Sequence, residues 1–495
     1  MPNCKLTAAL SLKWPANVTS KIRVVKTAIP FQAAVSGPLV THLTRLSSIA
    51  PIFTVNDLQR DIAICVGNGR KKMKLALANH CGGFAFTVEP RGAWEGEEFY
   101  MGMYIHSPRP AGPSLTVSAA IVIHWLTPGF KLVSALLDFP TVPHCAAAPI
   151  DRGDPLNEGQ PYYHAFRTSL ESFGIWPRIS HITILQTGQF EANEAFVGLV
   201  ARNVPGFSVQ RSSSGCMLSR VNDAMKGYEE IAPVPFSLLP RHTPMEVFKD
   251  SLIVKFKDHG TRLFVADDEV TAMWAFPIVD QLLRQVREFQ EKDTAGGASE
   301  GALERSAKLL EELHRQLRAA PAYYGSLFLN PRVKGKHFQE YWESPWIQEQ
   351  EAELRKLWET RYQTSEIPRD LPQLLAETAL QFPGYEGYEG DGDGEGGDES
   401  PTDEEIAAVA FKRGFYVSLG DEYVSAAEIA NIATADELER YRALPRIPLN
   451  EWEDRYKSSP HNWWAEVGRH QFPHLACMAR ELLAVQRWSY LPPFP

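Results

Sequence analysis

Cysteine is scarce in this chain and widely scattered: Cys4, Cys65, Cys81, Cys145, Cys216 and Cys477 make no close pair in 495 residues. That spacing excludes a disulfide-stapled scaffold and a Cys-x-x-Cys zinc module. No apolar run reaches the roughly eighteen residues of a membrane span, so no membrane protein is expected. The run LTAALSL from Leu6, with Lys5 before it, is too short for a signal peptide. Basic excess is missing as well. The formal net charge is −10, and ten Asp or Glu with no Lys or Arg fall between Glu386 and Glu405, so the remainder sums to about zero. A strong nucleic-acid binder neutralises phosphates with surplus Lys and Arg, and this chain has no such surplus.

What is present is a long, core-forming sequence, 44% hydrophobic, enough for two or three domains. Phe84, Phe86 and Val88 alternate with Ala85, Thr87 and Glu89, the pattern of a half-buried strand. LTVSAAIVIHWL from Leu115 and FKLVSALLDF from Phe130 read as two more strands, joined by the turn formers Thr127-Pro128-Gly129. A helical FRTSLESFGI follows, then HITIL from His181 as a fourth strand, then another helix. Three antiparallel strands, a helix, a strand and a helix is the element order of an RNase H-like α/β domain, with α and β mixed.

From about Pro240 to Tyr385 the spacing of apolar residues turns helical. FPIVDQLLRQVREFQEK and GALERSAKLLEELHRQLRAA are expected as two helices broken by Ala295–Ser299, with further helical runs at PAYYGSLFLNPRVKGKHFQEYW and LRKLWETRY. The stretch GYEGYEGDGDGEGGDESP from Gly384 cannot bury enough surface to fold and reads as a solvated linker. Helix resumes at Thr402, where Thr-x-x-Glu to Glu405 makes a capping box. The expected organisation is an opaque segment 1–80, strands and helices over 81–235, a helical domain over 236–383, the linker over 384–402 and a C-terminal helical region over 403–495. The short basic cluster Arg70-Lys71-Lys72-Lys74 reads as part of a solvated loop, or less simply as a nuclear address.

The most specific string is NWWAEVGRHQFPHLACMARELLAV, from Asn462 to Val485. Pro473 suits a first helical turn, and Leu475, Met478, Ala479, Leu482 and Leu483 then form one apolar stripe. The tandem Trp463-Trp464, the Phe472-Pro473 step and Met478-Ala479-Arg480 resemble the C-terminal dimerisation region of hAT-superfamily DNA transposases. IVIHWLTPGFKLVSALLDF is similar to the second and third strands of that family, and Pro321–Tyr362 resembles its helical insertion.

The resemblance implies an RNase H-like domain interrupted by a large all-helical insertion, with C-terminal helices packing back on it. It implies a homodimer through Trp452, Trp463, Trp464, Phe472, Pro473, Leu475, Met478, Ala479, Leu482 and Leu483, aromatic anchors being favoured at interface centres. It also implies a nuclear location, a cytoplasmic one being the default otherwise. Weak DNA binding is compatible with it, and no small-molecule substrate is expected.

Transposases of this family cut DNA with two Mg²⁺ ions held by three carboxylates. The first falls best on Glu89 in VEPRGAW, with a competing placement at Met103. The second falls at Leu185 or Gln186, neither acidic, with Glu191 several residues on. The Cys-x-x-His motif is degenerate, as Cys216, Ser219 and Asn222, and a further segment has become His144-Cys145-Ala146-Ala147-Ala148. The third carboxylate segment is replaced by QRWSYLPPFP. The expectation is therefore a catalytically dead relative, without metal ligands or cofactor. The alternatives are a Mg²⁺ nuclease using Glu89 with other ligands, and a relic without function.

Overall fold

The computed structural model describes residues 55–78, 80, 82–92, 116–143, 156–184, 190–215, 217, 220, 221, 224, 272–292, 298–364, 412–421 and 435–485. The chain divides into two compact units, one of residues 1–78, 93–114 and 490–495, the other of residues 79–92 and 115–489. In the first unit the described element is α1 (Val55–Ala78). Arg70, Lys71, Lys72 and Lys74 lie exposed on this helix rather than in the expected loop. The reason is local: the stretch KKMKLALA consists of strong helix formers without a breaker.

The second unit is mixed α and β. Its strands are β1 (Phe84–Gly92), β2 (Thr116–Leu126), β3 (Leu132–Asp138) and β4 (Thr141–Pro143). Helix α2 (Leu156–Phe173), β5 (Ile179–Ile184), α3 (Phe190–Asn203), the short α4 (Val209–Ser212) and β6 (Ser213–Gly215) follow. The sheet order is β3-β2-β1-β5-β6, with β4 paired to β2 beside that path. β1 is antiparallel to β2, and β2 to β3. β1 is parallel to β5, and β5 to β6. The three-strand meander and the fourth strand thus lie where alternation and turn chemistry put them. Phe130 N–H donates to Thr127 O at 2.8 Å and closes the expected turn, with Phe130 itself at φ 61°.

One sheet face carries Phe86, Val88, Ile123, Ile182 and Ile184, all buried. Phe86 meets the Phe166 ring of α2 edge-on at 5.4 Å, and Phe166 meets Phe196 of α3 at 5.4 Å. The two helices approach closely at Gly159, where a Cβ would come within 2.3 Å of Phe196 N. The β2 run Ala119–Leu126 is buried without a break because both of its faces are covered, which is why it reads as continuous rather than alternating.

The rest of the unit is helical: α5 (Ala275–Lys292), α6 (Ala298–Ala319), α7 (Pro321–Phe328), α8 (Lys336–Tyr341) and α9 (Ser344–Arg361). After these come α10 (Glu437–Ala443), α11 (Leu449–Asp454), α12 (Pro460–Trp463), a π turn over Trp464–Gly468, α13 (Arg469–Gln471) and α14 (Pro473–Leu482). These helices share one apolar core with the second sheet face, from Ala85 and Leu126 through Trp274, Leu310 and Tyr324 to Met478 and Leu483. The acidic linker and the Thr402 capping box lie outside the described residues. Among the described residues no helix is long and apolar enough to cross a membrane.

Candidate functional site on the polar face of the sheet

A row of polar side chains crosses the sheet on the face turned to the C-terminal helices. Period-two alternation along β1 opposes Thr87 to the apolar Phe86 and Val88. The register then sets Thr87 beside Thr183 of β5, and Thr183 beside Ser214 of β6. On the other side His124 of β2 stands beside Ser134 of β3. His124 Nε2 is 2.9 Å from Thr87 Oγ1, and its Nδ1 is 2.8 Å from Ser134 Oγ. His181 Nε2 is 2.9 Å from Ser214 Oγ, and the His181 ring lies edge-on to Tyr323 of α7 at 5.7 Å. Thr87, His124, His181 and Thr183 are all buried.

The chemistry of this row follows from its protonation. Burial pulls the His124 pKa down to about 3, so the ring is neutral at any physiological pH. A neutral imidazole between two hydroxyls is satisfied in either tautomer, because each hydroxyl can donate or accept. A useful general base has a pKa near the working pH, and His124 lies far below it, so the Ser134–His124 pair is no activated nucleophile. The row is a cross-sheet tie rather than a charge relay.

The carboxyl ends of β1 and β5 are where the resemblance sets the first two carboxylates. Glu89 lies within β1 opposite Ala120, one residue beyond Val88, which pairs with Ile184. Leu185, Gln186, Cys216, Ser219, Asn222, Met103 and the His144–Ala148 segment lie outside the described residues. Mg²⁺ requires hard oxygen ligands in octahedral geometry, chiefly carboxylates. Among the described residues the buried polar side chains beside these strand ends are the hydroxyls of Thr87 and Thr183, which supply no carboxylate. Among the described residues no group of three His, Cys, Asp or Glu side chains is arranged to hold a metal.

The residues expected to dimerise are placed inside the chain. Trp452, Trp463, Trp464, Phe472, Leu475, Met478, Ala479, Leu482 and Leu483 are all buried, and Pro473 is half-buried at the first turn of α14. Trp464 Nε1 donates to Leu329 O at 2.8 Å, and its ring stacks on Phe130 at 5.9 Å. Gly468 makes room for the tandem tryptophans, since a Cβ there would lie 2.3 Å from Trp464 and 2.6 Å from Trp463. The apolar stripe therefore covers this chain's own sheet and helices. Self-association through these side chains would require their release, and the tryptophans act as core.

Two adjacent residues of α14 complete the attachment. Arg480 Nε donates to Leu126 O at 3.0 Å, and its Nη2 is 2.9 Å from His80 Nδ1. Glu481 Oε2 accepts the Gly83 N–H at 2.7 Å, while Arg361 pairs with its Oε1 at 2.9 Å. Gly82, at φ 86°, belongs to this joint, where a Cβ would come within 2.7 Å of Glu481 Oε2. Burial, then the Arg480 and Arg178 charges, hold His80 well below the ordinary histidine range.

A second buried polar cluster was missed in the sequence. Asp280 of α5 accepts from His314 of α6 at 2.9 Å and His337 of α8 at 2.8 Å, with Trp342 Nε1 at 3.3 Å. Burial pushes the Asp280 pKa up, but the two histidine hydrogen bonds outweigh this and hold it below the usual carboxylate value. The signal was available: an aspartate among Phe276, Val279 and Leu283 sits on the apolar stripe of its own helix.

No family model matches the chain, and no curated protein matches it.

Proposed function

We propose that this chain is a transposase-derived protein of the hAT type that no longer cleaves DNA, and that its RNase H-like sheet and helices now serve as a binding scaffold. The observation that carries the reading is the strand order β3-β2-β1-β5-β6, antiparallel over the first three strands and parallel from β1 to β6. That order supports an RNase H-like reading of the sheet, and the return of Arg480 and Glu481 to β1 and β2 supports a C-terminal region packing on it. Leu185 and Gln186 at the second carboxylate position, with Thr87 and Thr183 as the neighbouring buried pair, support the loss of cleavage.

The scaffold reading assigns protein or weak nucleic-acid contacts to surfaces other than the ten C-terminal side chains, which are engaged internally. Light scattering of the intact chain over a range of concentrations tests self-association directly. A concentration-dependent dimer supports a retained assembly surface, and a monomer throughout removes homodimerisation from the reading. The nuclease alternative depends on Glu89 and predicts Mg²⁺-dependent nicking that Glu89→Gln abolishes.

A further inference from the structure

Beside the three-residue edge strand β6 lies a crevice of about 340 Å³, lined by residues of α3, α6, β5 and β6. Ile184 and Gly215, the last residues of those strands, both line it. The volume falls within the range of small-ligand pockets.

Two half-buried residues of its lining each carry a buried donor atom without an acceptor among the described residues: Arg220 Nε and Asn193 Nδ2. Native proteins leave few buried polar atoms unsatisfied, and a buried cationic donor is the most expensive kind. Glu312 interacts with the Arg220 charge without bonding to its Nε. Arg315 holds that carboxylate through two bonds of 2.5 and 2.7 Å, and Gln316 Nε2 adds a third at 2.7 Å. Glu312 is outside the lining, whose one acid, Glu194, is exposed.

The backbone is shaped around this guanidinium. A Cβ at Gly215 would lie 3.2 Å from Arg220 Nε and 3.4 Å from its Nη2, so the glycine is what lets the arginine lie against the strand end. Ile184, Val197, Met217, Leu313 and Leu317 supply apolar wall to the same crevice, and Arg315 adds a second cation to its lining. A charged donor, an amide donor and apolar walls in one crevice define the ligand chemistry.

We propose that this crevice binds a small amphipathic anion, a carboxylate or phosphate on an apolar or aromatic body, with Arg220 as its charge partner and Asn193 as its second donor. The proposal stands apart from descent and from DNA cleavage, and it adds a small ligand where the sequence led to none being expected.

The test is calorimetric titration of the intact chain with phenyl phosphate and with phenylacetate, which share one body and separate the two head groups, and with benzyl alcohol as the neutral control. One of the two anions is expected to bind one per chain, with benzyl alcohol silent and affinity reduced about tenfold or more in Arg220→Gln. Gly215→Val, which pushes the guanidinium aside, is expected to weaken binding in the same direction. If Arg220→Gln fails to fold, Asn193→Leu carries the same expectation. Absence of saturable binding by both anions, or binding that these substitutions leave unchanged, overturns the proposal.

Discussion

The carboxylate of Glu481 accepts a hydrogen bond from the backbone N–H of Gly83 at 2.7 Å, across 398 positions of sequence. The last described helix is thereby tied to the start of the first strand, and the helical half of the second unit is closed onto its sheet. Glu481 is 2% exposed, so its charge depends on Arg361 and the Gly83 amide for compensation. Replacing Glu481 by Ala leaves the amide without an acceptor and the guanidinium without its partner. We expect a loss of about 3 kcal/mol in urea denaturation, and about half of that for Glu481→Gln, which keeps an acceptor. An unchanged midpoint for the alanine variant would show that the tie contributes nothing.

The tandem tryptophans give a prediction opposed to an interface role. Trp464 fills the space between Phe130 and Leu329, and its removal leaves a large cavity. Trp464→Ala should destabilise the fold by about 3–5 kcal/mol. Together with Trp463→Ala it should abolish the near-ultraviolet circular dichroism of the aromatic core. A double variant that keeps that spectrum and changes only its solution mass would mean that the rings serve assembly.

Acid stability follows from the buried imidazoles. Burial lowers the pKa of His124 to about 3 and that of His461 to about 4, against 6.5 in the unfolded chain. Below pH 6.5 the unfolded state takes up protons that the folded state refuses, so stability falls as pH falls, down to about 4 for His461 and about 3 for His124. The slope is about 1.4 kcal/mol per pH unit for each ring. His124→Gln should lower stability at pH 7 and yet flatten the decline between pH 6 and 5 by that amount. Parallel wild-type and variant curves over this interval would contradict the assignment.

Asp280 joins α5, α6 and α8 through His314 and His337. Its folded pKa is depressed, so its contribution is present above the ordinary carboxylate pKa of 3.8 and is lost as pH falls below it. Asp280→Asn removes the shared charge and leaves two imidazoles facing an amide. Thermal unfolding at pH 7 should drop by the equivalent of about 3 kcal/mol, and a wild-type transition would show the cluster to be incidental.

Much of this architecture was legible, for identifiable reasons. The alternation of Phe84, Phe86 and Val88 and the turn at Thr127-Pro128-Gly129 depend on neighbours in sequence, so the meander could be read locally. The polar row could not, because Thr87, His124, Ser134, Thr183 and Ser214 become neighbours only once strand order and register are known. Periodicity also reveals that α14 has an apolar face without saying what covers it. The stripe Leu475, Met478, Leu482 suits either an interface or the chain's own core, and in the fold it is covered by the chain itself. The burial of Arg480 and Glu481 is not legible in sequence, because charge in a helix is usually solvated.

The most direct test of the non-cleaving scaffold is nicking of supercoiled plasmid by the purified chain in Mg²⁺ and in Mn²⁺, beside the Glu89→Gln variant. The account predicts intact plasmid from both proteins in both metals. Nicking by the wild-type chain that disappears in Glu89→Gln would contradict it and establish a metal-dependent nuclease.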